Sequence, residues 1–309
     1  MHIIHSISEY HRLTSLPAPA HPLISLVDVS KIRFAERVIW EKFSMTFYCI
    51  SLKKNINGNP KYGREFYDHD KGIMSFVAPM QLLSLDTVSP DADQLATGYA
   101  LFIHPDFFVG HPLAAMSGNY AFFSYAVNEA LHLSQTEEEN IVALFEKIEQ
   151  EYKNRDEHTD HIIQTQIDLI LTYSNRFYKR QFATRKKVNH DIIDRLDGYL
   201  TEHFNAGEGL RKGVPSVEAL AGNLNVSPHY LSDLLRSVNG LNTQQYIQIR
   251  LLEKAKEYLS TTELSVAEIA YLLGFEYPQS FNKLFKKKMN ISPLEFRKSM
   301  PVQEIKHKI

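Results

Sequence analysis

A single cysteine, Cys49, in 309 residues leaves the chain without an internal disulfide framework or a thiolate zinc site. No apolar run approaches the ~18 residues that a membrane-spanning helix needs. Met1 to Tyr10 lacks the basic-then-apolar layout of a signal peptide, so a soluble, cytoplasmic protein with no membrane partner is expected. No glycine-rich phosphate loop and no nucleophile motif is present, so no catalytic residue and no cofactor is expected. Charge of one sign is also scarce, the net being −2. That near-balance hides an asymmetry. From Arg185 onward there are 18 Lys and Arg against 14 Asp and Glu, a net +4, while the residues before it carry −6. The sign difference suits a C-terminal part that meets a polyanion and an N-terminal part that does not.

What is present suffices for two domains: the composition is 44% hydrophobic and 23% charged, that of a protein able to bury real cores. The first third reads as strands at Pro22–Val29, Phe43–Leu52, Ile73–Pro79, Gln81–Asp86 and Thr97–Ile103. Asn57-Gly58 marks a hairpin, because a type I′ turn needs positive φ at both central positions. Phe43, Met45, Phe47 and Cys49 alternate with polar neighbours, and short strands repeated in this way suggest a small barrel or sandwich. Thr136 with Glu139 reads as a capping box ahead of Ile141, Leu144, Phe145, Ile148 and Tyr152 at helical spacing. A second helix carries Ile163, Ile167, Ile170, Leu171 and Phe177, completing an αα-hairpin, and Ala183 to Lys187 reads as the joint between domains.

The clearest signals lie beyond Asp191, where everything reads as helix. Val217–Asn223 with Leu220 and Ala221 facing in, a turn at Asn225-Val226, and Ser227-Pro228 opening another helix form a helix-turn-helix. Leu231, Leu234, Leu235 and Val238 make its buried stripe. About fifty residues on, Ser265/Glu268, Ile269-Ala270, Gly274, Tyr277-Pro278 and the stripe Phe281, Leu284 and Phe285 repeat the unit. A helix from Gln244 to Leu259, N-capped by Thr243, joins the copies through Tyr246, Ile249, Leu252, Ala255 and Leu259. Two helices entering successive major grooves on one face must lie ~34 Å apart. A joining helix of about 16 residues contributes ~24 Å of that at 1.5 Å per residue.

The C-terminal part strongly resembles the DNA-binding domain of AraC-type transcription regulators. The resemblance rests on Leu220-Ala221, Val226-Ser227, Tyr230-Leu231, Gly240, Arg250 to Ala255, Ile269-Ala270, Gly274-Phe275, Ser280-Phe281, Phe285-Lys286-Lys287, Ile291-Ser292-Pro293 and Phe296-Arg297. Three departures stand out: Asn290 in place of the usual glycine, Leu235 in place of the usual phenylalanine, and Asp233 on the first exposed face. The N-terminal part resembles that family's effector domains more loosely, in arrangement and at Gly98–Phe107 and Arg180-Gln181-Phe182. The implied fold is an α+β multidomain chain. Residues 1–184 form a cupin-like effector-binding or dimerisation domain, with a β-barrel over about 20–118 and the helical hairpin over about 136–182. Residues 185–309 form an all-α DNA-binding domain, with helix-turn-helix units at about 216–239 and 265–290 and a linker helix at about 243–259.

Base edges are read by side chains near the start of a recognition helix. Gln279, Asn282 and Lys283 are the candidates in the second unit, and His229, Ser232, Asp233 and Arg236 in the first. Gln and Asn pair with adenine N6/N7, Lys reaches guanine O6/N7, and Asp233 either repels phosphate or accepts from cytosine N4. Lys286 and Lys287 suit phosphate, which fixes register without reading sequence. Double-stranded DNA is therefore the expected partner, with a homodimer implied by the resemblance and RNA polymerase and a small-molecule effector as further candidates. The aromatic residues Phe43, Phe47, Tyr48, Phe76, Tyr99 and Phe102, together with Phe66 and Tyr67, fall on or beside strands and are candidates to line an effector pocket.

The competing reading is a metal-dependent cupin-type enzyme carrying a DNA-binding tail. The fourteen histidines include no His-x-His pair, on which catalytic cupins rely. His2/His5 lie at an end expected to fray, His158/His161 at the hairpin turn, and His104 at a strand end, so no metal is expected.

Overall fold

The computed structural model describes residues 2–34, 37–54, 72–84, 96–126, 129–184 and 186–299. The chain divides into two units, Met1–Arg185 and Lys186–Ile309. The expected Asn57-Gly58 hairpin, Phe66, Tyr67 and the end of the Gln81–Asp86 strand lie outside the described residues.

In the first unit the strands are β1 (His2–Ile4), β2 (Ile24–Asp28), β3 (Phe43–Met45), β4 (Tyr48–Lys54), β5 (Ile73–Val77), β6 (Thr97–Ile103) and β7 (Leu131–His132). Five of them pair antiparallel in the order β2-β6-β4-β5-β7, while β1 and β3 form a parallel pair. The expected strand Phe43–Leu52 is thus divided. Phe43–Met45 pairs with the N-terminus and bridges Leu83, and only Tyr48 onward joins the large sheet. Among the described residues the sheet does not close into a barrel, since β2 and β7 each pair on one side only. The N-terminal end is not frayed either: His2 is paired with Phe43, and the helix α1 (Ile7–Leu13) follows, capped by Ser6.

Register places every second side chain on one face. Val27, Cys49, Val77, Ala100 and Phe102 join Ile7, Tyr10, Trp40 and Phe47 in one apolar cluster; Trp40 comes from a short helix, α2 (Arg37–Glu41). Their neighbours Ile50, Leu52, Met74, Phe76 and Leu101, all buried, point the other way. There α4 (Gln135–Lys153) and α5 (Thr159–Thr184), which follow a one-turn helix α3 (Met116–Asn119), cover the sheet. Tyr99 stacks on Phe145 of α4, and Phe76 meets Tyr178 of α5. The capping box of α4 is Ser134 with Glu137, not Thr136 with Glu139: Ser134 holds the extended backbone that a cap requires, and Thr136 is already helical. Arg180 on α5 returns to Glu137 at 2.7 Å and to the carbonyl of His132, locking the hairpin to β7. At the turn of the hairpin Asp156 accepts the backbone N–H groups of His158 and Thr159.

His11 on α1 is buried, 4% exposed, with Nδ1 against the carbonyl of Pro17 and Nε2 3.0 Å from Ser25 Oγ. A carbonyl only accepts, so Nδ1 carries the proton and Nε2 receives the serine hydroxyl. Burial lowers its pKa below the ordinary 6.5, outweighing the bond to Pro17, so the folded histidine is neutral. The unfolded chain binds the proton more readily, so the stability that His11 contributes is present above about pH 6.5 and lost as the pH falls below it. The urea midpoint read by tryptophan fluorescence, which reports Trp40 in this unit, is expected to fall less steeply with pH in His11→Asn than in the native chain. Equal slopes would reject this account.

The second unit is helical: α6 (Lys186–Asn205), α7 (Gly209–Lys212), α8 (Val217–Leu224), α9 (Pro228–Asn239), α10 (Thr243–Thr261), α11 (Val266–Leu272), α12 (Pro278–Met289) and α13 (Pro293–Ser299). No described helix is long and apolar enough to cross a membrane.

Candidate nucleic-acid interface

The first helix-turn-helix is α8 and α9. Ser216 caps α8 by accepting the Ala219 N–H, and Asn225 ends it in the left-handed conformation at φ 57°. The Asn225 N–H then donates to Gly222 O and the Val226 N–H to Ala221 O, a Schellman closure that fixes the turn. Ser227 accepts the Tyr230 N–H and Pro228 supplies the first helical residue of α9. Tyr230, Leu231, Leu234 and Leu235 are buried, which turns His229 and Arg236 outward with Ser232 and Asp233 partly exposed beside them. Val238, expected in the buried stripe, is 40% exposed, and Tyr230 at the other end of the helix is buried in addition to the expected leucines.

The second unit repeats this construction. Ser265 and Glu268 form the expected capping box on α11, and Gly274 has φ 95°. Gly274 N–H donates to Tyr271 O and Phe275 N–H to Ala270 O, the same closure 49 residues on. Between Gly274 and Pro278 the turn holds one residue more than its counterpart, so the displacement becomes 50 along α12. Phe281 and Phe285 are fully buried, and Gln279, Asn282, Lys283, Lys286 and Lys287 all stand exposed. Asn290 closes α12 at φ 63° in the conformation that Gly240 adopts at φ 70° in the first unit. The repeat runs one helix further than the sequence reading had it. Asn242/Gln245 at the start of α10 and Ser292/Glu295 at the start of α13 are both reciprocal capping boxes.

The two outward faces differ electrostatically. That of α12 presents Lys283, Lys286 and Lys287, followed by Lys288, with no acidic residue in the helix. On α9 the only strong cation, Arg236, donates through Nη1 to Asp233 Oδ1 at 2.7 Å. Tyr277, 59% exposed at the leading end of α12, is marked by the sequence only as part of the helix start Tyr277-Pro278 and not as a candidate contact. Its signal is an aromatic residue at a cap position, where it makes no side-chain capping bond.

Both units are held by a common frame. α10 starts after Asn242, not Thr243, because Gln245 reciprocates with Asn242 while the Thr243 side chain is buried. Tyr246, Leu252, Ala255 and Leu259 are buried as expected, but Ile249 is 38% exposed and Ile247 and Leu251 take its place. Arg250 grips Asp197 of α6 with Nε at 2.9 Å and Nη2 at 2.5 Å, and the Tyr246 hydroxyl donates to the same carboxylate at 2.7 Å. Burial and that bond push the Tyr246 phenol up to about 12. Arg297 of α13 donates to the carbonyls of Leu259 and Leu264, closing the end of α10. On the other side, a Cβ on Gly209 would stand 2.3 Å from the Leu272 carbonyl, so α7 lies directly on the turn of the second unit.

In the N-terminal unit, the six aromatic residues proposed to line a pocket do not share one lining. Phe43, Phe47 and Phe102 belong to the Trp40 cluster. Tyr48 and Phe76 pack on Phe123, and Tyr99 on Phe145, over the opposite face. His158 lies in the hairpin turn, and among the described residues no three His, Cys, Asp or Glu side chains converge to hold a metal ion.

A family model described as a helix-turn-helix domain matches residues 220–299. Over 127 residues the chain is 28% identical to the bifunctional transcriptional activator/DNA repair enzyme AdaA of Bacillus subtilis, covering 41% of this chain and 57% of that one. It is 32% identical over 127 residues to the raffinose operon transcriptional regulatory protein RafR of Pediococcus pentosaceus, covering 41% and 43%. The match spans about half the length of these two curated relatives. Among solved structures, the C-terminal domain of AraT, a response regulator from Geobacillus stearothermophilus, is 31% identical with a TM-score of 0.33, over 38% of this chain and 93% of that one.

Proposed function

We propose that this chain, whose C-terminal unit is a helix-turn-helix domain of the AraC type, is a sequence-specific DNA-binding transcription regulator that sets α9 and α12 into two successive major grooves. One observation carries the reading: two units of the same construction, one anchored by buried Leu231, Leu234 and Leu235 and the other by buried Phe281 and Phe285, leave the polar faces of α9 and α12 outside the core. Gln279 and Asn282, near the leading end of α12, suit adenine, and Lys283 suits guanine. Lys286 and Lys287, in the last turn of the helix, suit phosphate, while Tyr277 stands at its opposite, leading end.

The N-terminal unit serves as the dimerisation or effector-responsive module, as its resemblance to cupin-like effector domains suggests. Two chains joined there would bring two DNA-binding units to two half-sites at high effective concentration. Leu169, 40% exposed on α5 between half-buried Gln166 and Tyr173 at helical spacing, supports pairing through the hairpin. Small-molecule modulation and contact with RNA polymerase in the cytoplasm follow from the family resemblance alone.

The test is a mobility-shift titration of the full chain on the DNA upstream of its neighbouring genes. Gln279→Ala is expected to cost about 1–3 kcal/mol on the fragment carrying its base and little on others. Lys286→Ala is expected to weaken binding to every sequence and to reduce the dependence of log K on log salt by about one phosphate contact. Unshifted DNA across all promoters tried, or two variants indistinguishable from the native chain, would overturn the proposal.

A further inference from the structure

The charged side chains on the outward face of α12 are lysines alone. The corresponding face of α9 carries a carboxylate, and that carboxylate already holds the face's one strong cation. Asp233 and Arg236 lie three residues apart on α9, on the side opposite the buried Leu231, Leu234 and Leu235. Side chains on a helix lean toward its N-terminus, so the guanidinium of Arg236 lies back over the turn that holds Ser232 and Asp233. It meets Asp233 Oδ1 through Nη1 at 2.7 Å, and the arginine side chain remains 58% exposed against 24% for the aspartate. A guanidinium has five N–H donors in a rigid plane. One contact through Nη1 leaves other donors on a side chain that is largely exposed.

Two consequences follow from elementary electrostatics. The paired charges offset one another, so this face gains little from the phosphate backbone, and a phosphate approaching Arg236 also approaches the carboxylate. A guanine edge is different. Its O6 and N7 acceptors are uncharged, so Asp233 repels them far less, while it holds the arginine plane in one orientation for two parallel hydrogen bonds.

We propose, on the reading of the chain as a DNA-binding regulator, that Asp233 is a positioning residue for base recognition: it steers Arg236 away from phosphate and presents it to guanine. α9 then contributes discrimination, and the lysine-rich α12 supplies most of the phosphate attraction. This differs from a role in which Asp233 itself accepts from cytosine N4, for then its carboxylate would turn from Arg236 to the base.

The experiment is a selection of bound duplexes from a randomised DNA pool by the full chain, repeated with Asp233→Asn, Arg236→Ala and the double variant. The native chain is expected to enrich guanine at one position of the first half-site, and Arg236→Ala to lose that enrichment. Asp233→Asn keeps a side chain of the same shape without the charge. It is expected to flatten the guanine preference about threefold to tenfold while binding an unrelated duplex as tightly as the native chain or more tightly. Circular dichroism melting of each variant separates this from loss of fold. If Asp233→Asn retains the full guanine preference, or if the native chain enriches cytosine opposite α9 and Asp233→Asn loses it, the positioning role is overturned while the regulator reading stands. If the native chain enriches no sequence at all, both fall together.

Discussion

Replacing Gly274 with alanine is expected to remove about 3 kcal/mol or more from the stability of the C-terminal unit, while the same change at Gly240 removes only about 1 kcal/mol. Both glycines have positive φ, 95° and 70°, so conformation alone predicts a modest penalty at each. The surroundings separate them. A Cβ on Gly240 meets nothing within 4 Å, whereas a Cβ on Gly274 would stand 2.4 Å from the carbonyl carbon of Gly213 and 2.5 Å from the nitrogen of Val214. These are backbone atoms, which no rotamer change moves aside. Relief requires the segment from Gly209 to Val214 to lift from the turn, and that opens the bond between His203 Nε2 and the Gly213 carbonyl behind it. A non-glycine residue is already accommodated at the position equivalent to Gly240, where Asn290 has φ 63°. Urea unfolding followed by far-ultraviolet circular dichroism is the appropriate probe, since Trp40 lies in the other unit and does not report this one. Equal midpoints for the two variants would show that α7 does not pack on the turn as described.

The C-terminal unit was largely legible in the sequence because helix punctuation is local chemistry. Ser227-Pro228, Ser265 with Glu268, and Gly274 each state a start or a stop within four residues, whatever surrounds them. What depends on neighbours distant in sequence was not legible. Ile249 fits the apolar period of α10 but is partly exposed; Ile247 and Leu251 are buried instead, on a helix that also packs against α6. Asn242 and Thr243 are both good caps, and only the reciprocal bond from Gln245 decides between them. In the N-terminal unit the alternation of Phe43, Met45, Phe47 and Cys49 runs unbroken across the point where β3 ends and β4 begins, so it concealed the change of sheet. Alternation also failed to mark an inner face, because α1 with Trp40 covers one side and α4 with α5 the other. For the same reason the aromatic residues expected to share a pocket are divided between two cores. The pairing of Asp233 with Arg236 required the rotamers: the spacing permits it on any helix, and the sequence could only mark Asp233 as anomalous.

A second large effect is expected at Phe285, one of the two fully buried residues by which the basic helix is held. It is fully buried, with ring centroids 5.7 Å from Phe281 on the same helix and 5.6 Å from Phe296 on α13. Apart from Phe281, which is also fully buried, α12 has little else to hold it. Leu284 is only partly buried, and its lysines repel one another at helical spacing, a penalty that DNA relieves and free solution does not. Phe285→Ala removes the transfer free energy of the ring and leaves a cavity between α12 and α13, at a cost of about 3–5 kcal/mol. Phe285→Leu reproduces Leu235, which is fully buried at the equivalent place in the first unit. It keeps most of the volume and loses the two ring contacts, a cost of about 1–2 kcal/mol. The two variants should therefore part company on DNA. With Leu, excess cognate duplex restores the folded state by mass action, and specific binding persists at reduced stability. With Ala, the helix carrying Gln279 to Lys287 no longer holds its orientation, and affinity falls on every sequence together with the melting temperature. If Phe285→Ala instead binds operator as the native chain does, the aromatic chain from α12 to α13 is not what presents the basic face.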